Sequence, residues 1–105
     1  MKVRAKVGRL TQLTKGREYV VLGTSYNRLR ILNDGGDPAL YPRRAFDVLD
    51  ESIPDNWVWM RGDEGESYAD PPEMSERGFY ERYFDGDEDA IFQFNEYLKD
   101  HGIDR

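Results

Sequence analysis

The chain has 105 residues and no cysteine, which excludes a disulfide framework, a cysteine-ligated metal site and a thiol nucleophile. That length suffices for one domain with a modest core. The formal net charge is −6. The sequence contains neither the apolar run of a signal peptide nor the ~20 apolar residues of a membrane span. We therefore expect a soluble, cytoplasmic protein.

The charges are divided unevenly along the chain. Residues 1–50 carry ten Lys and Arg against five acids, a net charge of +5, whereas residues 51–105 carry five against sixteen, a net charge of −11. Such asymmetry indicates either that the two halves dock on one another or that each half attracts a partner of its own.

The first half of the chain has the pattern of five short β-strands. Charged and apolar residues alternate over 2–7, which predicts a first strand with one face in water. Apolar or alternating runs predict four further strands at 18–22, 28–32, 39–41 and 46–49. The segment 33–36 (NDGG) is a strong hairpin signal, because glycine readily adopts the positive φ of tight turns. Pro42 introduces a one-turn helix over 43–45 before the last strand.

The second half predicts a β-hairpin and two helices packed on these strands. The hairpin strands are expected at 57–60 and 66–69. Alternation along the first of them places Trp57 and Trp59 on one strand face. Ser75 is the predicted N-cap of a short helix over 76–84.

The final helix has the strongest signal in the second half. Asp87 is a favourable N-cap, Glu88 and Asp89 suit the positive end of a helix, and Lys99 suits its negative end. The apolar stripe expected to face the core consists of Ile91, Phe94 and Leu98. Gly102 ends the helix.

Catalysis has little support in the residue pattern. The one histidine, His101, is expected at the C-terminal end of the final helix, where a positive charge interacts favourably with the helix dipole. No neighbouring pattern points to a catalytic triad. We therefore expect a protein without enzymatic activity and without a cofactor.

The segment 85–96 is the one candidate cation loop. It has acids at positions 1, 3, 5 and 12, as an EF-hand loop requires. Position 6, however, is Ala90 instead of the glycine that the sharp turn needs, and Asp87 is better placed as a helix cap. We therefore predict no metal site.

An acidic surface with aromatic anchors is the first candidate for binding. Carboxylates would steer a basic protein partner to the surface, and aromatic side chains would hold it there. The predicted partner-binding residues are Trp57, Trp59, Glu81, Asp85, Asp87, Glu88 and Asp89.

The alternative is a nucleic-acid-binding or regulatory module that uses the basic strands. Lysine and arginine would hold phosphates while tyrosine stacks on bases. The predicted residues are Lys2, Arg4, Lys6, Tyr26, Arg28 and Arg30. A net charge of −6 opposes binding of a polyanion, which makes this the second choice.

The segment YPRRAF (41–46) resembles the closing part of SH3-like barrels, in which a one-turn helix precedes the last strand. Together with REYVVLG, RLRILNDGG, IPDNWVWMRG and GFYERYFDGDEDA, it makes the chain similar to a group of small, largely uncharacterised bacterial proteins. The resemblance implies a mainly β fold with C-terminal α structure. An SH3-like barrel over residues 1–50 would carry the hairpin and two helices of residues 51–105 in a single compact unit.

Small acidic bacterial proteins often serve as immunity proteins, and this analogy implies a non-enzymatic protein that occludes a basic partner such as a toxin. The peptide groove of SH3 domains does not carry over. The acidic loop and the tryptophan pair of that groove have no counterparts at matching positions, since Trp57 and Trp59 follow the barrel.

Overall fold

The computed structural model describes residues 1–105, and its strands form where the sequence is β-branched or aromatic. The first half contains β1 (Lys2–Ala5), β2 (Glu18–Ser25), β3 (Arg28–Leu32), β4 (Pro38–Pro42) and β5 (Phe46–Asp50). A 3-10 turn over Arg43–Ala45 connects β4 to β5. The five predicted strands and the one-turn helix are confirmed, although β1 ends at Ala5 instead of Val7.

The second half adds a hairpin and two helices. These elements are β6 (Val58–Arg61), β7 (Ser67–Asp70), a 3-10 turn (Pro72–Met74), α1 (Phe79–Phe84) and α2 (Glu88–Asp100). The predicted cap of α2 is confirmed, because the Asp87 carboxylate accepts a hydrogen bond from the Ala90 N–H. Neither helix combines the length and the apolar character that a membrane crossing requires.

The predicted start of the first helix is wrong. Gly78 adopts a left-handed conformation with φ of +83°, which interrupts the helix that was expected from residue 76. The Ser75 hydroxyl donates a hydrogen bond to the Pro72 carbonyl instead of capping α1. A glycine three residues after a good cap therefore moves the helix start to Phe79.

All seven strands belong to one antiparallel sheet in which β2 is the central element. The strand order is β4-β3-β2-β1-β5, and β7 joins by pairing with both β2 and β6. One edge of β2 pairs with β1 over residues 18–20 and with β7 at Thr24 and Ser25. The mainly β fold with C-terminal helices is confirmed. No strand pairing joins β4 to β5, so the sheet is open.

Two apolar cores lie on opposite faces of this sheet. The first, enclosed by the N-terminal strands, contains Val3, Ala5, Leu13, Tyr19, Val21, Leu29, Ile31, Tyr41, Ala45 and Phe46. The second joins the sheet to the helices and contains Leu22, Leu32, Met74, Phe79, Tyr83, Ala90, Phe94, Tyr97 and Leu98. β2 contributes to both, because its successive side chains point to opposite faces.

Polar contacts orient the helical layer against the β3–β4 turn. The Arg105 guanidinium donates to the Gly36 carbonyl at 2.8 Å and to the Tyr83 hydroxyl at 2.8 Å. The Tyr83 hydroxyl in turn donates to the Asp37 carboxylate at 3.2 Å. The end of α1 therefore lies beside the β3–β4 turn.

Two phenylalanines on α2 provide a matched test of the second core. Phe94 is fully buried, whereas Phe92 is 66% exposed. We expect Phe94→Ala to lower the free energy of unfolding by about 3–5 kcal/mol, because it opens a cavity between helix and sheet. Phe92→Ala should change it by less than about 0.5 kcal/mol. Urea unfolding followed by circular dichroism measures both, and equal losses would contradict this assignment of the core.

Candidate functional site

Four of the predicted partner-binding carboxylates are free of ion pairs. Glu81 lies on α1, Asp85 follows that helix, and Glu88 and Asp89 form the first turn of α2. All four are exposed, and none has a Lys or Arg nitrogen within 4 Å. Asp87 differs, because it caps α2 and pairs with Arg82 at 3.3 Å.

Two exposed phenylalanines lie among these carboxylates. Phe84 directly precedes Asp85, and Phe92 lies one helical turn beyond Glu88 and Asp89. Both rings are largely exposed. Sequence reasoning missed them, although the helical period places Phe92 on the side of α2 opposite its buried stripe. We call Glu81, Asp85, Glu88, Asp89, Phe84 and Phe92 the acidic face.

The two tryptophans of the predicted partner-binding set differ in burial. Strand β6 begins at Val58, so Trp57 precedes the strand and Trp59 lies on it. Trp57 is 6% exposed and belongs to the interior, so it is not available to a partner. Trp59 is 60% exposed, but it lines a groove beside Tyr26 that contains no residue of the acidic face.

No ion pair joins the basic half of the chain to the acidic half. Within the first half the pairs are Arg4–Glu18, Lys6–Asp47 and Arg17–Asp34. Within the second half Arg82 pairs with both Glu76 and Asp87. The second core, the β2–β7 pairing and a few polar contacts hold the halves together. The exposed charges that form no ion pair remain available to a partner.

The predicted basic face is not assembled as one surface. Lys2 and Arg4 share the exposed side of β1, and Lys6, also exposed, directly follows that strand. Arg4 lies 3.4 Å from the Glu18 carboxylate, and Lys6 lies 3.8 Å from that of Asp47. Arg30 packs against Tyr80 of α1 and is only partly exposed, so its predicted place in an exposed nucleic-acid face is wrong.

Tyr26 and Arg28 instead line a groove together with residues that the sequence analysis did not predict. On one side of Tyr26 is a groove of about 710 Å³ lined by Tyr26, Asn27, Arg28, Pro42, Arg43, Arg44, Phe46 and Val48. On the other side is one of about 580 Å³, whose lining includes Tyr26, Arg43, Trp59, Glu51 and Glu66. We call the first of these the arginine groove.

Local structure explains why the arginines converge. Arg28 begins β3 directly opposite Pro42 at the end of β4, and Pro42 starts the 3-10 turn that carries Arg43 and Arg44. The Arg43 N–H donates to the Asn27 carbonyl at 2.8 Å. Its guanidinium donates to the Thr24 hydroxyl at 3.3 Å. Two arginines after a proline, paired with a polar turn, are the signal that could have found this groove.

The histidine and the acids of the candidate cation loop have local structural contacts. His101 ends α2, with Nδ1 2.9 Å from the Tyr97 carbonyl oxygen and its ring 4.1 Å from the Tyr97 ring. No group of three or more histidine, aspartate and glutamate side chains is placed to hold a metal ion. Within the segment 85–96, Asp87 serves as the helix cap and Glu96 lies inside α2.

Comparisons with protein-family models, with curated proteins and with solved structures found no match for this chain.

Arg30 belongs to a half-buried polar cluster between the sheet and α1. Its guanidinium lies 3.7 Å above the centroid of the Tyr80 ring and donates to the Pro38 carbonyl at 3.0 Å. The Tyr80 hydroxyl is buried without a hydrogen-bond partner. Burial raises the pKa of the Asp70 carboxyl to about 6, although the positive charge of Arg30 acts in the opposite direction. Gly23 leaves room for this cluster, because a Cβ at that position would force the Asp70 carboxylate to move.

The raised pKa of Asp70 predicts how stability depends on pH. Because this pKa lies above the ordinary value of 3.8, the unfolded chain loses the proton first. The contribution of Asp70 to stability is therefore complete below about pH 4 and is lost as the pH rises to about 6. Asp70→Asn cannot ionise, so at about pH 7 it should be more stable than the wild type by about 1–2 kcal/mol, allowing for partial solvation.

Urea unfolding between about pH 4 and pH 7 measures this difference. Asp63→Asn, at an exposed position in the β6–β7 turn, is the control and should leave the pH profile unchanged. A loss of stability in Asp70→Asn at about pH 7 would show that Arg30 stabilises the charged carboxylate, against this prediction.

Proposed function

We propose that this chain is a non-enzymatic, cytoplasmic binding protein of the immunity type, which occludes a basic partner such as a toxin through its acidic face. The observation that carries the proposal is that Glu81, Asp85, Glu88 and Asp89 are exposed and form no ion pair within the protein. No ion pair within the protein therefore neutralises their charge. Two exposed aromatic rings lie among them.

The acidic face has the two components that a tight protein interface needs. Exposed carboxylates attract a basic protein over a distance and orient its approach. Burial of a phenylalanine ring in a partner pocket contributes roughly 1.5–3 kcal/mol, and a surrounding rim of polar groups excludes water from such an anchor. Phe92, one helical turn from Glu88 and Asp89, is placed to act as this anchor.

We further propose that residues 1–50 are an SH3-like barrel that serves as the scaffold for this face. The strand order β4-β3-β2-β1-β5 and the 3-10 turn between β4 and β5 support the proposal. The pairing of β2 also supports it. On one side β2 pairs with β1, which pairs with β5, and on the other side β2 pairs with β3, which pairs with β4. In this arrangement the barrel provides the outer strand face on which the helices pack.

A binding measurement with the product of the adjacent gene tests the proposal. We expect that product to be a basic protein that forms a stable one-to-one complex with this chain. Phe92→Ala should raise Kd about 30-fold or more, mainly through faster dissociation, because it removes the apolar anchor. The double change Glu88→Lys and Asp89→Lys should slow association about tenfold or more, and this effect should shrink as salt is added. Surface plasmon resonance at two salt concentrations separates the two effects.

Asp63→Lys is the matched control, since it reverses an exposed charge on the β6–β7 turn, away from both helices. It should leave dissociation unchanged and affect association only weakly. Failure of the basic product to bind, or equal effects of the control and the helix variants, would contradict the proposed function.

A further inference from the structure

We propose that the arginine groove binds single-stranded nucleic acid, with Tyr26 stacking on a base and Arg28, Arg43 and Arg44 holding phosphates. This is a second binding site, on residues that do not belong to the acidic face. It does not depend on the function proposed above, and a basic protein partner would not occupy it.

The groove is a cationic site whose charge is not neutralised by the fold. Its lining contains three arginines and no carboxylate. None of the three is in an ion pair. The Arg43 guanidinium donates to the Thr24 hydroxyl, and Arg44 is exposed beside it on the 3-10 turn. Guanidinium groups at fixed positions match the geometry of phosphate oxygens.

Two aromatic rings extend this site on either side of Arg43. Tyr26 is 84% exposed, which is unusual for a tyrosine in a small domain, and Trp59 is 60% exposed. Both rings line the groove adjoining the arginine groove, and Arg43 lines both grooves. Flat aromatic faces beside a basic groove are the usual platform for unpaired bases, since every base has a face that can stack.

The net charge of −6 does not oppose binding at this place. Phe84 of the acidic face lines a groove with Gly36 and Asp37 of the β3–β4 turn, whereas Tyr26 lies in the β2–β3 turn. These turns are at opposite ends of β3, whose five residues span roughly 17 Å. That length is about twice the screening length of ~8 Å at physiological salt, so the local arginines dominate the potential in the groove.

The lining also limits the length of strand that can bind. Glu51 and Glu66 lie on the Trp59 side, where they would repel phosphates. Phosphates are therefore confined to the arginine side, while a neighbouring base reaches toward Trp59. An acidic peptide could pair with the arginines, but its carboxylates would leave both aromatic faces without a planar partner. The chemistry of the groove therefore favours a short single strand.

Titration of the whole protein with a dT oligonucleotide of about eight nucleotides tests the proposal. Trp59 provides the signal, because stacking quenches the fluorescence of an exposed indole while buried Trp57 stays constant. We expect quenching that saturates at low salt. With three phosphates neutralised, log K should fall with log salt with a slope of about −2. Tyr26→Ala should weaken binding about tenfold or more, and Arg44→Ala should reduce the slope by about 0.7.

Arg9→Ala is the matched control, since Arg9 is exposed, is in no ion pair and lines neither groove. It should leave the affinity and the salt slope unchanged. No quenching at low salt, equal weakening by Arg9→Ala, or an affinity for thymidine monophosphate equal to that for the oligonucleotide would overturn the proposal. Tighter binding of a polyglutamate peptide than of the oligonucleotide would overturn it as well.

Discussion

Strand β2 is buried on both faces, and the rest of the structure follows from the need to cover each of them. Tyr19 and Val21 point into the first core, while Leu22, with Val20 packed beside it, contributes to the second. A strand that is apolar on both sides cannot leave either side in water without losing the favourable free energy of apolar burial. The N-terminal strands cover one face and the two helices cover the other. The second half of the chain is therefore a necessary part of the fold.

This arrangement explains how two halves of opposite charge coexist without neutralising each other. The second core between them is apolar, and exposed ion pairs would have added little, since each contributes about 0–1 kcal/mol. Arg105, Tyr83 and Asp37 hold the end of α1 at the β3–β4 turn. As a result Phe84 of the acidic face and the arginine groove lie at opposite ends of β3. The fold keeps the two charged surfaces apart, and each stays open to a partner of opposite charge.

Local patterns in the sequence predicted most of the strands, the hairpin turn at 33–36 and the cap of α2. Each of these depends on neighbours within a few residues, which a sequence shows directly. The errors arose where a competing local signal or a distant contact decided the outcome. Gly78 overrode Ser75 as the start of α1, because a left-handed backbone conformation ends the preceding turn.

The candidate site was harder to predict, because its members come from separate elements. The acids at 85–89 are adjacent in sequence, so their common location was visible. The arginine groove joins the β2–β3 turn, the 3-10 turn after β4 and, through Trp59, the β6 strand. Alternation predicted Trp57 and Trp59 on one face, yet the position of the β6–β7 hairpin against β2 buries one and exposes the other. No property of the two residues themselves distinguishes them.

Strand β3 shows how the helical layer also decides which basic residues remain accessible. Arg28, Arg30 and Leu32 alternate with Leu29 and Ile31, so the first three point to the outer face of the sheet. The helices cover that face progressively: Leu32 enters the second core, Arg30 lies under the Tyr80 ring, and Arg28 is left exposed. Because α1 covers Arg30, that cation is removed from the surface, and Arg28 is the only arginine of β3 in the arginine groove. The helices that bury the outer face of β2 therefore also limit the basic surface to the end of the sheet that they do not reach.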